Sequence, residues 1–171
     1  MKIVLVGYMG SGKTTVGKEL SKELKISFLD MDAYLEERMG MGIPHIFKEK
    51  GELFFRKLEH DCLHEIMEHK DNFVLSTGGG TPCYGGNMDT ISQYTPNVFY
   101  LRVSLSELLR RLSPEKKHRP LISDIKEEDL PEFLGKHLFE RNSFYTRAKH
   151  TISADTNEIR TIVEGIKELL S

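Results

Sequence analysis

The chain has 171 residues, 24 basic against 26 acidic for a net charge of −2, with 39% hydrophobic and 29% charged residues. That is the size and makeup of one globular domain with a sizeable core, and the near-neutral sum excludes a polyanion-coating protein, which needs a surface excess of Lys and Arg. Cys62 and Cys83, the only cysteines, are too few for a disulfide scaffold and fit a reducing compartment; no apolar run approaches the roughly 20 residues of a membrane span.

Lys2-Ile3-Val4-Leu5-Val6 reads as a buried strand, too short for a signal peptide, so the expected location is the cytoplasm. Gly7-Tyr8-Met9-Gly10-Ser11-Gly12-Lys13-Thr14 follows and matches G-x-x-x-x-G-K-[ST], ahead of a helix at Lys13–Leu24. Its glycines let the backbone curl so that N–H groups point inward, and the helix N-terminus adds positive potential for a phosphate chain. Gly10, Ser11, Gly12 and Thr15 are read as nucleotide contacts, Lys13 as the partner of the β- and γ-phosphates, and the Thr14 hydroxyl as a Mg²⁺ ligand.

A second strand, Ser27–Leu29, runs into Asp30-Met31-Asp32. Ligands of open α/β sheets bind beyond the carboxyl ends of the strands, so both aspartates are expected to face the phosphate cradle. One carboxylate there suits Mg²⁺ through its water shell, and another suits the proton of an attacking hydroxyl. The plainer alternative is that one of them caps a helix at Ala33–Met39, and Asp32 is placed to do both.

A helix at Glu52–His69 carries Leu53, Phe54, Leu58, Cys62, Ile66 and Met67 at helical spacing. It brings Arg56 and Glu59 to one face, as a surface ion pair or as a guanidinium held for a substrate carboxylate. His60 and His64 have the spacing of a zinc pair, but Asp61 replaces the required glutamate and no zinc site is expected. Phe47, Phe54 and Phe55 read as core, or as a wall for a flat carbocycle. The strand Phe73–Ser76 then ends in Thr77-Gly78-Gly79-Gly80, whose bare backbone allows close ligand approach.

A strand at Val98–Val103 and a helix at Leu105–Leu112 precede the basic, proline-interrupted run Ser113–Pro120, which is either a solvated connection or, with Arg119, a lid. A helix at Leu130–Arg147 bearing Arg141, a strand at His150–Ser153 and a helix at Glu158–Leu170 complete the chain. Strands alternating with helices predict βαβ units and a mostly parallel sheet.

In order and spacing these motifs resemble the shikimate kinase family, from Lys2 to about Asn157. The similarity rests on Gly7–Gly17, on Asp30-Met31-Asp32, on Phe55-Arg56-Lys57-Leu58-Glu59, on Thr77–Gly80, on Arg119-Pro120-Leu121 and on Arg141 with Tyr145. The resemblance implies a three-layer α/β P-loop kinase fold, akin to the nucleoside-monophosphate kinases. Its five-stranded parallel sheet would have helices on both faces, with a substrate-binding helical region at about 31–60 and a lid at about 113–127 in a single 1–171 domain. It implies ATP-dependent phosphorylation of the shikimate 3-hydroxyl, with Mg²⁺. The self-contained look of the chain points to a monomer, and its charge and apolar runs to no nucleic-acid or membrane partner. Arg56, Arg141, Gly78, Gly79 and Gly80 would hold the shikimate carboxylate and hydroxyls, with Glu59 orienting Arg56. Asp32 would bond the acceptor hydroxyl, Asp30 would stand on the Mg²⁺ side through water, and Arg111 and Arg119 would serve the nucleotide. Lys13, Asp32 and Arg119 would be catalytic. Ser76 would belong to a Walker B segment lacking its acidic residue. The adenine-contact segment 155–160 lacks the proline that the family often carries.

Other readings are a kinase for another small hydroxylated acid, such as gluconate, or for a nucleoside monophosphate, and a nucleotide-driven switch. No N-K-x-D guanine-reading motif accompanies the P-loop. The expected charge layout is a cleft lined by Lys13, Arg56, Arg111, Arg119 and Arg141, with the compensating carboxylates mostly elsewhere.

Overall fold

The computed structural model describes residues 1–155 and 158–170. Five strands, β1 (Lys2–Val6), β2 (Ser27–Asp30), β3 (Phe73–Ser76), β4 (Val98–Arg102) and β5 (His150–Ser153), make one all-parallel sheet in the order β2-β3-β1-β4-β5. Ile3 to Val6 are all fully buried. Successive side chains of a strand point to opposite faces, so both faces of the central strand are covered, which is why β1 is a continuous apolar run rather than an alternating one.

The helices are α1 (Lys13–Leu24), α2 (Met31–Met39), α3 (Ile43–Lys50), α4 (Glu52–His69), α5 (Asn87–Tyr94), α6 (Leu105–Leu112), α7 (Leu130–Tyr145) and α8 (Ile159–Leu170). Helix α1 lies against β3 and α8. It approaches the sheet closely at Gly17, where a Cβ would stand 2.6 Å from Cε2 of Phe28. Helices α2, α3 and α4 pack on one another, and α2 also packs on β2. β1 sits between β3 and β4, where the strand order reverses, and the loop leaving it is the phosphate cradle.

Each expected strand and helix is present, six with the expected bounds and the other five with one end shifted by one or two residues. Two helices, α3 and α5, lie where none was expected. Helix α3 has Pro44 in its first turn and is bounded by Gly42 and Gly51; these residues read as breakers although Pro is favoured at a helix start. Helix α5 starts after Gly85 and Gly86, both at positive φ, and buries only Met88 and Ile91 of its apolar residues. Among the described residues no helix is long and apolar enough to cross a membrane.

Candidate active site

The phosphate loop is shaped by Gly7, Gly10 and Gly12, at φ of 151°, 80° and 90°. At Gly7 a side chain is also excluded by space, since a Cβ would lie 2.8 Å from the Leu101 carbonyl oxygen. Helix α1 has no acidic residue in its first turn, so its N-terminal N–H groups keep their positive potential for an anion. Lys13 is buried, and its Nζ donates to the carbonyls of Gly7 (2.7 Å) and Tyr8 (3.0 Å). Burial pulls its pKa down to about 8, against the opposing pull of Asp32 and Asp30.

Asp30, not Asp32, caps α2: its Oδ1 accepts from the Ala33 N–H at 3.0 Å, and the helix begins at Met31. The cap belongs to the residue that still has extended backbone when the helix starts. The other oxygen of Asp30 accepts from the Thr14 hydroxyl at 2.9 Å, and the Ser76 hydroxyl is 3.5 Å from that of Thr14. Asp32 is thereby free of capping, and among the described residues no protein group donates to its carboxylate. Its tip opens to the cleft, yet desolvation by the surrounding walls and the charges of Asp30 and Glu59 push its pKa up to about 6.

The glycine turn after β3 runs between this floor and the arginines Arg56 and Arg141. None of Gly78, Gly79 and Gly80 has positive φ, so they are needed for proximity rather than for backbone shape. A Cβ would meet Asp32 Oδ1 at 2.9 Å on Gly78, Arg141 Nη1 at 3.3 Å on Gly79, and the Arg56 guanidinium at 2.8–3.1 Å on Gly80. Arg56 donates to Glu59 at 2.9 Å. This is no surface pair, because Glu59 is 1% exposed and its second oxygen accepts from Thr81 at 2.8 Å. On α7, Tyr145 donates to the Gly79 carbonyl at 2.6 Å, one turn beyond Arg141. Gly80→Ala is expected to fold with its melting temperature within about 4 °C of wild type, since only a side-chain tip must move. If Arg56 holds an acceptor carboxylate, as proposed below, the variant should nonetheless raise the KM for that acceptor about tenfold by displacing the guanidinium, a change that steady-state kinetics reads directly.

Arg111 lies across the nucleotide side, donating to the carbonyls of Gly10 (3.1 Å) and Ala154 (2.6 Å) and to Glu107 (2.7 Å). Its neighbour Arg110 points instead to an exposed pairing with Glu107, whose pKa the two arginines hold down at about 2. Arg119 stands in the 113–127 loop and is bound twice by Glu115, at 2.7 and 3.1 Å. Lys13, Thr14, Asp30, Asp32, Arg111 and Arg119 line one cavity of about 490 Å³, floored by Gly78 and Gly79. The expectation that the balancing carboxylates lie elsewhere is therefore corrected. Asp30, Asp32 and Glu115 line the cavity beside Lys13, Arg111 and Arg119, and Arg56, Arg111 and Arg119 are each paired with a neighbouring carboxylate, Glu59, Glu107 and Glu115, because cations gathered closely need local counter-charge; Arg56 and Arg141, expected in the same cleft, stand outside the lining of this cavity. Of the segment 155–160, Thr156 and Asn157 lie outside the described residues.

Several supporting residues had escaped notice in the sequence. Thr81 fixes Glu59, and Asn87 donates to the Thr81 carbonyl at 2.9 Å. Buried Tyr8 bonds His137 of α7 at 2.6 Å, tying the phosphate loop to the helix of Arg141. Their signal is weak because one Thr, Asn or His is ordinary until the fold brings it to a site. His60 and His64 bond Asn87 (2.7 Å) and Thr90 (3.2 Å) and so tether α5. Phe47 and Phe55 pack ring to ring at 4.5 Å, whereas Phe54 turns outward.

A P-loop at the switch point of a parallel sheet, facing an acceptor end built on arginine and an unbonded carboxylate, defines a small-molecule phosphotransferase of the P-loop class. Known proteins narrow this further. Residues 9–171 match the family model described as shikimate kinase. A shikimate kinase of Flavobacterium psychrophilum is 45% identical over 99% of this chain and 98% of its own, and that of Flavobacterium johnsoniae is 41% identical over 99% of both. The crystal structure of shikimate kinase from Bacteroides thetaiotaomicron superposes with a TM-score of 0.93 at 39% identity, covering 99% of this chain and 98% of that one. Shikimate kinase from Acinetobacter baumannii, solved in complex with shikimate, gives a TM-score of 0.88 at 35% identity, covering 99% and 92%. The chain belongs to the shikimate kinase family.

Proposed function

We propose that the protein transfers the γ-phosphoryl group of ATP to the 3-hydroxyl of shikimate, giving ADP and shikimate 3-phosphate within aromatic amino-acid biosynthesis. One observation carries the reading: the Gly78–Gly80 turn packs against Asp32 and the Arg56–Glu59 pair while flooring the cavity of the P-loop. A hydroxylated acid held by its carboxylate at Arg56 and Arg141 would thus present a hydroxyl towards Asp32 and the phosphate chain.

Phosphoryl transfer asks mainly for positioning and charge neutralisation. The P-loop N–H groups and Lys13 hold the β- and γ-phosphates, and Arg119 exchanges Glu115 for phosphate oxygens. Asp32 orients the acceptor hydroxyl and receives its proton late, since a loose transition state needs little base assistance. Thr14 and Asp30 suit a hard cation, offering a hydroxyl and a carboxylate oxygen 2.9 Å apart. When bound there, Mg²⁺ would neutralise charge on the phosphate oxygens. Closure of the 113–127 loop would exclude water and limit ATP hydrolysis.

Two titrations set the pH dependence. Asp32 accepts a proton only when ionised, so kcat/KM for shikimate should fall below about pH 6. Lys13 neutralises phosphate only when protonated, so the same quantity should fall above about pH 8. A profile still flat from pH 5 to 6 would remove Asp32 from this role.

The activity itself is tested by ADP release with shikimate, quinate, gluconate and nucleoside monophosphates. Shikimate should be strongly preferred, and no ADP above background with shikimate would refute the assignment.

A further inference from the structure

Resting on the assignment of Arg56 to the acceptor carboxylate, we infer that Tyr84 is a positioning and specificity residue: its ring faces the Arg56 guanidinium and sets the plane in which that group meets a carboxylate. The guanidinium carbon lies 3.9 Å from the centroid of the Tyr84 ring. That is well inside the roughly 6 Å reach of a cation–π contact. In-plane, Arg56 Nη1 donates to Glu59, and the guanidinium runs against the backbone of Gly80. Its Nε is buried without a hydrogen-bond acceptor, and Glu52 Oε1 lies 3.7 Å away. Hydrogen bonds alone therefore leave the guanidinium short of in-plane restraint, and the ring supplies restraint from its face.

The turn that carries Tyr84 is fixed independently. The short 3₁₀ turn Thr81–Cys83 leads into it, the Tyr84 carbonyl accepts from Asn87 N–H at 3.0 Å, and Gly85 and Gly86 bend the chain into α5. The same turn supplies Thr81 to Glu59, so one segment both fixes the carboxylate partner of Arg56 and presents the ring that covers it. Tyr84 remains 37% exposed, which places it as a cover over Arg56 rather than as part of the core.

Stacking leaves the edge N–H donors of a guanidinium free while fixing its plane. A planar carboxylate matches such an edge with two parallel bonds. The arrangement therefore favours a carboxylate-bearing acceptor that lies in that plane.

The test compares Tyr84→Phe, Tyr84→Leu and Arg56→Ala, together with the Arg56→Ala/Tyr84→Leu double variant, by steady-state kinetics and by calorimetric titration with shikimate. Tyr84→Leu keeps bulk but loses the aromatic face, and it should weaken shikimate binding about three- to tenfold. Its kcat and its KM for ATP should stay within about twofold of wild type. Tyr84→Phe should bind shikimate as wild type does, because the hydroxyl is not what holds Arg56. In the Arg56→Ala background the leucine substitution should have no further effect on shikimate binding. Equal behaviour of the Leu and Phe variants, or an undiminished Leu effect without Arg56, overturns the role of Tyr84. If Arg56→Ala itself leaves shikimate binding unchanged, the failure lies with the acceptor assignment instead.

Discussion

Replacing Asp32 with asparagine is expected to lower kcat about 100-fold or more while the protein stays folded. The carboxylate lies at the cleft with no hydrogen-bond donor from the protein among the described residues, so the isosteric amide disturbs no contact there. The stability effect has a definite sign. Asp32 titrates near 6 in the folded protein, above the ordinary carboxylate value, so its ionised form is disfavoured by folding. Removing that charge should leave the melting temperature at pH 7–8 equal to or above that of wild type. The difference should fade as the pH drops below about 6 and the wild-type carboxyl protonates. The acid limb of the kcat/KM profile should vanish in the variant, and near-normal turnover would contradict the role given to Asp32.

Arg119→Ala should be more damaging still, with kcat lowered about 10³-fold, the lower end for an arginine that stabilises phosphoryl-transfer charge. In the structure Arg119 pairs with Glu115 one helical turn away, at 35% side-chain exposure. Such an exposed pair contributes about 0.2–1 kcal/mol, so the melting temperature should move by only a few degrees. Arg119→Lys should recover only part of the activity, since an ammonium keeps the charge but not the planar fork. Stopped-flow or coupled assay of ADP formation separates these outcomes, and an alanine variant with wild-type kcat would remove Arg119 from the reaction.

The paired arginines change how the cleft is expected to work. Because Arg119 is bound to Glu115 and Arg111 to Glu107, on the roles proposed for them an incoming phosphate chain would meet guanidinium groups already aligned by carboxylates. In that proposal the anion would displace Glu115 from Arg119, whereas Arg111 would keep Glu107 and its bonds to Gly10 and Ala154.

Much of this was legible in the sequence because it depends on local order. The strand–Gly-rich loop–helix succession fixes the P-loop on its own, and the strand Phe73–Ser76 delivers Gly78–Gly80 to the carboxyl edge of the sheet. What was not legible depends on contacts between distant segments. Whether Glu59 is buried turns on Thr81, twenty-two residues away, and the loss of the capping role by Asp32 turns on where the backbone of β2 first becomes helical. Helix α5 was hidden because a turn with two glycines and a polar face look like loop when the tethering histidines lie on α4. The expected separation of charge failed for a general reason, since a sequence sum carries no information on which carboxylate folds beside which arginine.

The most direct test of the account is the structure of the product. The protein, incubated with ATP, Mg²⁺ and shikimate, should yield equimolar ADP and a single phosphate ester. ³¹P and ¹H NMR should show phosphorus coupled to the proton on carbon 3 of the ring. ADP released without a phosphorylated acid, or phosphate carried on another hydroxyl, would contradict it.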